Sequence, residues 1–311
     1  MYNFNMDRRD FIKMSAIAAC ALGAGAVYYG ATHYFGASYD IQKELKDKDD
    51  FIPQFDVHLV EHCNLNCKYC SHFSCIAEPE FLNIKDYEKD LKRLYEITQG
   101  KSKGFMLLGG EPLLHPDLLD FISLTRKIFP ITYIELTTNG LLFDAMDDNF
   151  WQCLHDNSVA LKHSWYPNTN VNIDKYYKLA RKYRFRTFYK RKDLKIIDKF
   201  IKFNIDLEGK VNNIKRFEEC FFKQYCNQLS KGKIYHCSFA PGIRHFNKKF
   251  NKNIKVEEAD YLDIYKAKDI SEIFKFLKTP PKICRYCDYI KEWEVDWETS
   301  PVHDINEWTY S

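Results

Sequence analysis

Phe55-Asp56-Val57-His58-Leu59-Val60-Glu61-His62-Cys63-Asn64-Leu65-Asn66-Cys67-Lys68-Tyr69-Cys70 is the stretch on which the reading of this chain turns. Phe55–Val60 is a short apolar strand that runs straight into a loop with C-x3-C-x2-C spacing. Three thiolates on one short loop can hold three corners of a cubane iron–sulfur cluster. An electron-transfer cluster ordinarily takes four cysteines. Three leave one iron open, and an open metal position is where a substrate or cofactor binds. The spacing therefore points to chemistry at a cluster rather than to electron storage alone.

Outward from this stretch the chain alternates strand and helix. Ile84–Thr98 carries one apolar helical face with Asn83 as its N-cap, Phe105–Leu108 is a buried-strand run, and Pro116 opens a second helix. Ile131–Thr137 is the next strand, followed by a helix between Asp144 and His155 and a strand at Val159–Ser164. Asp174–Tyr183 reads as helix, Phe185–Tyr189 as a fifth strand, Asp193–Phe200 as a short helix and Ile201–Leu207 as a sixth strand. This alternation predicts an α/β fold with a parallel sheet. Six units suit an open or partial barrel better than a closed eight-fold one. The cysteine loop, following strand one, then lies at the C-terminal mouth of the sheet, where such folds place their sites. Beyond residue 210 the alternation stops. Gln228–Cys237, with Lys231-Gly232 in the middle, predicts a hairpin, and Asp269-Ile270-Ser271-Glu272 starts a helix stopped by Pro280-Pro281. The expected organisation is an N-terminal segment and charged linker at 1–50, a core at 51–210 and a cysteine-rich region at 211–311.

The 311 residues are 45% apolar and 29% charged, enough for a large core and against global disorder. A net charge of +3 gives no whole-chain argument for nucleic acid, and none is expected as partner. The basic stretch 175–195 reads as a solvated face. Seven of the eleven cysteines fall into two clusters of metal-like spacing, leaving Cys20, Cys75, Cys153 and Cys226. That distribution favours metal over a disulfide scaffold. At the N-terminus, Arg8-Arg9 precedes Phe11-Ile12-Lys13 and an apolar run from Met14 to Ala31. It resembles a twin-arginine export signal and is also long enough to span a bilayer, so removal and retention as an anchor both stay open.

A second motif agrees with the first. Leu108-Gly109-Gly110-Glu111-Pro112 directly follows strand two, where glycines admit close backbone approach and Glu111 adds an acceptor. With Tyr69 as the aromatic, the loop resembles the C-x3-C-x-aromatic-C signature of the radical S-adenosylmethionine (radical SAM) superfamily. The resemblance covers about 55–290. It implies a partial (β/α)6 barrel. Cys63, Cys67 and Cys70 would hold a catalytic [4Fe–4S] cluster. Gly109, Gly110, Glu111 and Pro112 would hold the methionyl amino group of S-adenosylmethionine. Tyr69, Thr138 and Asn139 would line the cofactor pocket, with Ser164 reaching the ribose. The cluster's electron would cleave the cofactor and leave a 5′-deoxyadenosyl radical that abstracts hydrogen from substrate, the protein supplying orientation and exclusion of water. A zinc site, or a four-cysteine loop closed by Cys75, is the bland alternative.

Cys220, Cys226, Cys237, Cys284 and Cys287 form the second set. The spacing Cys220-x11-Gly232-x4-Cys237, then Cys284-x2-Cys287, resembles the auxiliary-cluster region called twitch, the short relative of SPASM. It implies a second [4Fe–4S] cluster on Cys220, Cys237, Cys284 and Cys287. Cys226 competes with Cys220, whose spacing to Gly232 is the better match, and structural zinc is the alternative. Trp293, Trp297 and Trp308 are expected against this region. The reading that results is a radical enzyme acting on a peptide or carbohydrate-derived substrate, fed by a low-potential donor such as a flavodoxin or ferredoxin. Its rivals are a non-catalytic iron–sulfur carrier and a zinc-stabilised binding module. Cytoplasmic catalysis with membrane association through residues 14–31 is expected, with twin-arginine export as the alternative.

Overall fold

A computed structural model describes residues 53–223 and 225–310. The Arg8-Arg9 motif, the apolar run 14–31 and the charged stretch 40–50 lie outside the described residues. β1 (Gln54–Val60), β2 (Gly104–Gly109), β3 (Tyr133–Thr138), β4 (Ala160–His163) and β5 (Arg186–Thr187) are parallel neighbours in the order β5-β4-β3-β2-β1. Helices α1 (Ile84–Thr98), α2 (Leu118–Ile128), α3 (Asp148–Asp156) and α4 (Ile173–Tyr183) connect them. Asn83 caps α1 as expected, its Oδ1 accepting from the backbone N–H of Lys85 at 2.9 Å.

Two faces of these strands do different work. Phe55, Val57, Leu59, Phe105, Leu107, Ile134, Leu136 and Leu161 pack with the helices into the main core. Alternate residues point the other way, and many of them are polar yet buried: Gln54, Asp56 and His58 on β1, Glu135 and Thr137 on β3, Lys162 on β4. Lys162 Nζ lies 3.2 Å from Glu135 Oε1, with both side chains fully buried. Polar residues at alternate positions of otherwise apolar strands are the sequence sign of this polar inner face.

The sixth strand differs from expectation. Lys199–Ile205 (β6) is a strand, but it leaves the parallel sheet and pairs antiparallel with β10 (Cys287–Asp296). The parallel place beside β1 is taken by β7 (Gln228–Ser230), at Asp56↔Gln228. β7 and β8 (Lys233–Tyr235) form the predicted hairpin, Lys231 and Gly232 both having positive φ, and β9 (Leu262–Asp263) completes the eight-stranded sheet. The short helix expected at 193–200 is also absent. The i, i+3 spacing of Leu194, Ile197 and Phe200 imitates a helical face, but Leu194 enters the main core while Ile197 and Phe200 pack near Cys67. Ile197 N–H instead donates to Trp165 O at 2.7 Å, which pins extended backbone.

The remaining helices are α5 (Asn213–Glu219), α6 (Phe239–Phe250) and α7 (Ile270–Lys278), the last capped by Asp269 as predicted. A second core gathers Phe73, Phe239, Phe246, Ile283 and the fully buried Trp308. Among the described residues no helix is long and apolar enough to cross a membrane.

Candidate active site

The backbone of the cysteine loop is pressed against the end of β2. Gly110 N–H donates to Val60 O at 2.7 Å, and Glu111 N–H to His62 O at 3.1 Å. A Cβ on Gly110 would stand 1.9 Å from His62 O, and one on Gly109 would stand 2.1 Å from Val60 O. Gly109 also has φ +144°, a conformation that side chains disfavour. The close approach these glycines permit is thus to the loop that carries the cysteines.

Glu111 is wholly buried and braces the neighbouring loop. It accepts from Leu113 N–H at 3.0 Å, Thr138 Oγ1–H at 2.6 Å and Asn139 N–H at 2.9 Å. Burial raises its carboxyl to about 7 against these three donors. Asn139 Nδ2 in turn donates to Asn64 Oδ1 at 2.8 Å and approaches Cys63 Sγ at 3.7 Å. Strand ends β2 and β3 and the cysteine loop are in this way one hydrogen-bonded unit.

One cavity is lined by Cys63, Cys67, Cys70, Tyr69, Gly109, Gly110, Thr138, Asn139 and Ser164. The structure thus brings together all the expected residues of this site except Glu111 and Pro112, which lie behind the wall. Ser164 is buried, and its N–H donates to Thr138 O at 2.9 Å. Tyr69 sits at positive φ, and Tyr166, which the motifs did not mark, also lines the cavity.

Donors are directed at each sulfur. Leu65 N–H points at Cys63 Sγ at 3.4 Å, and Trp297 Nε1–H donates to Cys67 Sγ at 3.3 Å. Cys70 receives the Cys75 thiol and loop N–H groups, and these lower it to about 6 despite burial. Burial pushes Cys67 up to about 12 and raises Cys63 as well. Donors placed around sulfur suit thiolates, and a cationic cluster would remove the penalty that burial imposes. The donor set fits an iron–sulfur group. Cys75 is not in the lining; its side chain is spent on Cys70.

The five cysteines of the second set line an adjacent cavity, with Asp56, Arg216, His236 and Asp260. Ser71, His72 and Phe203 line both cavities. Burial raises the Cys237 thiol to about 12, and Cys220 adds to the effect. Burial likewise raises Cys284 and Cys287, and in each case Cys220 and Cys237 raise it further. These four sulfurs feel one another. Among the described residues no three His, Cys, Asp or Glu side chains are drawn around one point as a single ion would need.

Other residues around the site resolve individually. His115 caps locally, accepting from Asp117 N–H at 3.0 Å. His72 meets His58 at 2.8 Å, Nδ1 to Nε2. The basic stretch is exposed, and part of it is paired, Arg191 with Asp174 at 3.1 Å and Lys175 with Asp144. Trp308 lies in the second core beside Cys237 and Cys287, but Trp297 packs on the first cysteine loop instead, because β10 carries the tail back across the sheet mouth.

Residues 57–206 match the Radical SAM superfamily. Over these residues the chain carries a radical SAM domain. Membership of that superfamily implies a [4Fe–4S] cluster and S-adenosylmethionine. The GTP 3′,8-cyclase of Crocosphaera subtropica is 31% identical over 100 residues, 31% of this chain and 29% of the cyclase. Human molybdenum cofactor biosynthesis protein 1 is 33% identical over 87 residues, 27% of this chain and 13% of that protein. The chain thus matches less than a third of the length of either relative. The crystal structure of BtrN in complex with AdoMet and 2-DOIA is 16% identical, covering 78% of this chain and 95% of that one, with a TM-score of 0.48.

Proposed function

We propose that this radical SAM enzyme holds its catalytic cluster on Cys63, Cys67 and Cys70 and a second [4Fe–4S] cluster on Cys220, Cys237, Cys284 and Cys287. The observation that carries this is two adjacent cysteine cavities sharing Ser71, His72 and Phe203 in their walls. Cys220 raises the thiols of Cys237, Cys284 and Cys287, and its spacing to Gly232 favours it over Cys226. S-adenosylmethionine would lie against Tyr69, Gly109, Gly110, Thr138, Asn139 and Ser164, with Glu111 and Pro112 supporting the wall. When bound, the two groups supply reductive cleavage to a 5′-deoxyadenosyl radical. The chain's own part is to orient: Glu111 fixes Thr138 and Asn139, and Tyr166 and Phe200 close the cavity to water. Residues 51–210 serve as the radical core and 211–311 as the twitch-like region.

The substrate we propose is peptide or carbohydrate-derived. A nucleoside triphosphate would need several cations, yet the second cavity's lining carries Arg216, already paired with Asp288, against Asp56 and Asp260. Similarity to the cyclases favours GTP as the second reading. A flavodoxin or ferredoxin would supply the electron. The cytoplasmic origin of that electron and of the cofactor supports catalysis there, with the run 14–31 as a means of membrane association.

In anaerobically reconstituted enzyme, Cys63→Ala, Cys67→Ala and Cys70→Ala should each abolish 5′-deoxyadenosine formation. Full cleavage by any of them overturns the assignment. Wild-type protein should carry about eight iron and eight sulfide per chain, whereas about four of each with zinc would replace the second cluster by a structural ion. Deuterium transfer into deoxyadenosine from labelled peptides, sugars or GTP decides the substrate class.

A further inference from the structure

The C-terminal segment that follows β10 docks on the cysteine loop itself. Lys68 N–H donates to Glu298 O and Ser300 N–H to Asn66 O, both at 2.9 Å, which brackets Cys67 in a short antiparallel bridge with Thr299. Lys68 Nζ adds an ion pair to Glu298 at 2.6 Å. Within this strap Trp297 is fixed twice more. Its backbone N–H donates to Asp198 O at 2.9 Å, and its ring stacks on Tyr166 with centroids 5.2 Å apart and planes 16° apart. The result is the 3.3 Å hydrogen bond from Trp297 Nε1 to Cys67 Sγ. An indole N–H can only donate, so its direction is not in doubt. The other two sulfurs take donors from their own loop or from the neighbouring strand end. Only Cys67 is shown here with a donor 230 residues away.

Resting on the assignment of Cys67 as a cluster ligand, we propose that Trp297 is a positioning residue that sets the reduction potential of the catalytic cluster. Reduction adds negative charge to the cluster and its sulfurs. A hydrogen bond donated to a ligating sulfur stabilises that charge and raises the potential. The strap therefore makes the catalytic cluster easier to reduce, and it does so without touching cofactor or substrate.

The test is an EPR-monitored redox titration of reconstituted holoenzyme carrying Trp297→Phe. Phenylalanine retains stacking on Tyr166 and removes the N–H. The cluster in question is the one whose signal changes when S-adenosylmethionine is added. Its midpoint potential should move to a more negative value, while that of the second cluster stays in place. Deoxyadenosine formation driven by flavodoxin should fall, and titanium(III) citrate, a stronger reductant, should restore it. Should Trp297→Phe load poorly, incorporation of 3-benzothienylalanine replaces only the indole N–H by sulfur at nearly unchanged shape. An unchanged or raised potential in a variant that keeps wild-type iron overturns the proposal. Iron content unaffected by loss of Cys63, Cys67 and Cys70 together would instead overturn the ligand assignment beneath it.

Discussion

Glu61 stands two residues ahead of Cys63 and joins β1 to α6. It meets His245 Nε2 at 3.0 Å, His58 Nδ1 at 3.5 Å and Arg244 at 3.4 Å. Burial opposes its charge, but the hydrogen bonds from His245 and His58, with the positive charge of His58 and Arg244, more than reverse this. The carboxyl is held far below its ordinary range. A depressed folded pKa means that the unfolded chain binds more protons below about pH 4.5, so this contribution is complete above that pH and is lost as pH falls through it. Glu61→Gln should cost about 2–4 kcal/mol at pH 7. The gap from wild type should narrow steadily from pH 4.5 to pH 3 in urea titrations; parallel pH profiles would show that Glu61 is not held as a carboxylate. At this scale the sequence was readable where residues sit in one short motif, as with Cys63, Cys67, Cys70 and Gly109-Gly110. Glu61, Tyr166 and Trp297 were unreadable because the partners that give them their places, on α6 for Glu61 and on the cysteine loop for Tyr166 and Trp297, lie far along the chain.

The end of β2 is shaped by backbone contact, so Gly110→Ala forces a Cβ into His62 O, a collision with backbone that cannot rotate away. Such overpacking should cost about 3 kcal/mol or more and misplace the cysteine loop. Reconstituted Gly110→Ala should therefore lose the iron of the first cluster and keep that of the second. Asn83→Ala makes the comparison, since losing one N-cap should cost about 1 kcal/mol with both clusters retained. Equal iron in both variants would mean that the loop does not depend on its contact with β2. β1 to β4, α1 and the β7–β8 hairpin were legible because periodicity, caps and turn residues are local signals. β6 was legible as a strand but not by its partner. Its apolar residues suit a parallel neighbour as well as they suit β10, and pairing with a strand more than 80 residues later leaves no mark in the local pattern.

For the molecule as a whole, the second cysteine set ties together segments that lie far apart along the chain. Cys220 caps the end of α5, Cys237 precedes α6, Cys284 lies in the 3-10 turn Lys282–Tyr286, and Cys287 begins β10. A group bound to all four closes the chain from 220 to 237 and from 237 to 284. Closing such loops in the folded state alone transfers binding free energy into folding. The strands β1 to β4 have no such dependence, because their apolar face is packed in the main core. Chelation under reducing conditions should thus open 208–226 and 279–290 first, while 53–187 stays protected. Limited proteolysis followed by mass mapping should find cleavage in those two stretches at least ten times faster in apoprotein than in holoprotein. A chain lacking Cys63, Cys67 and Cys70 should keep the holoprotein's protection, since its second set is intact. If that chain is cut as fast as apoprotein, the first cluster and not the second stabilises the C-terminal half.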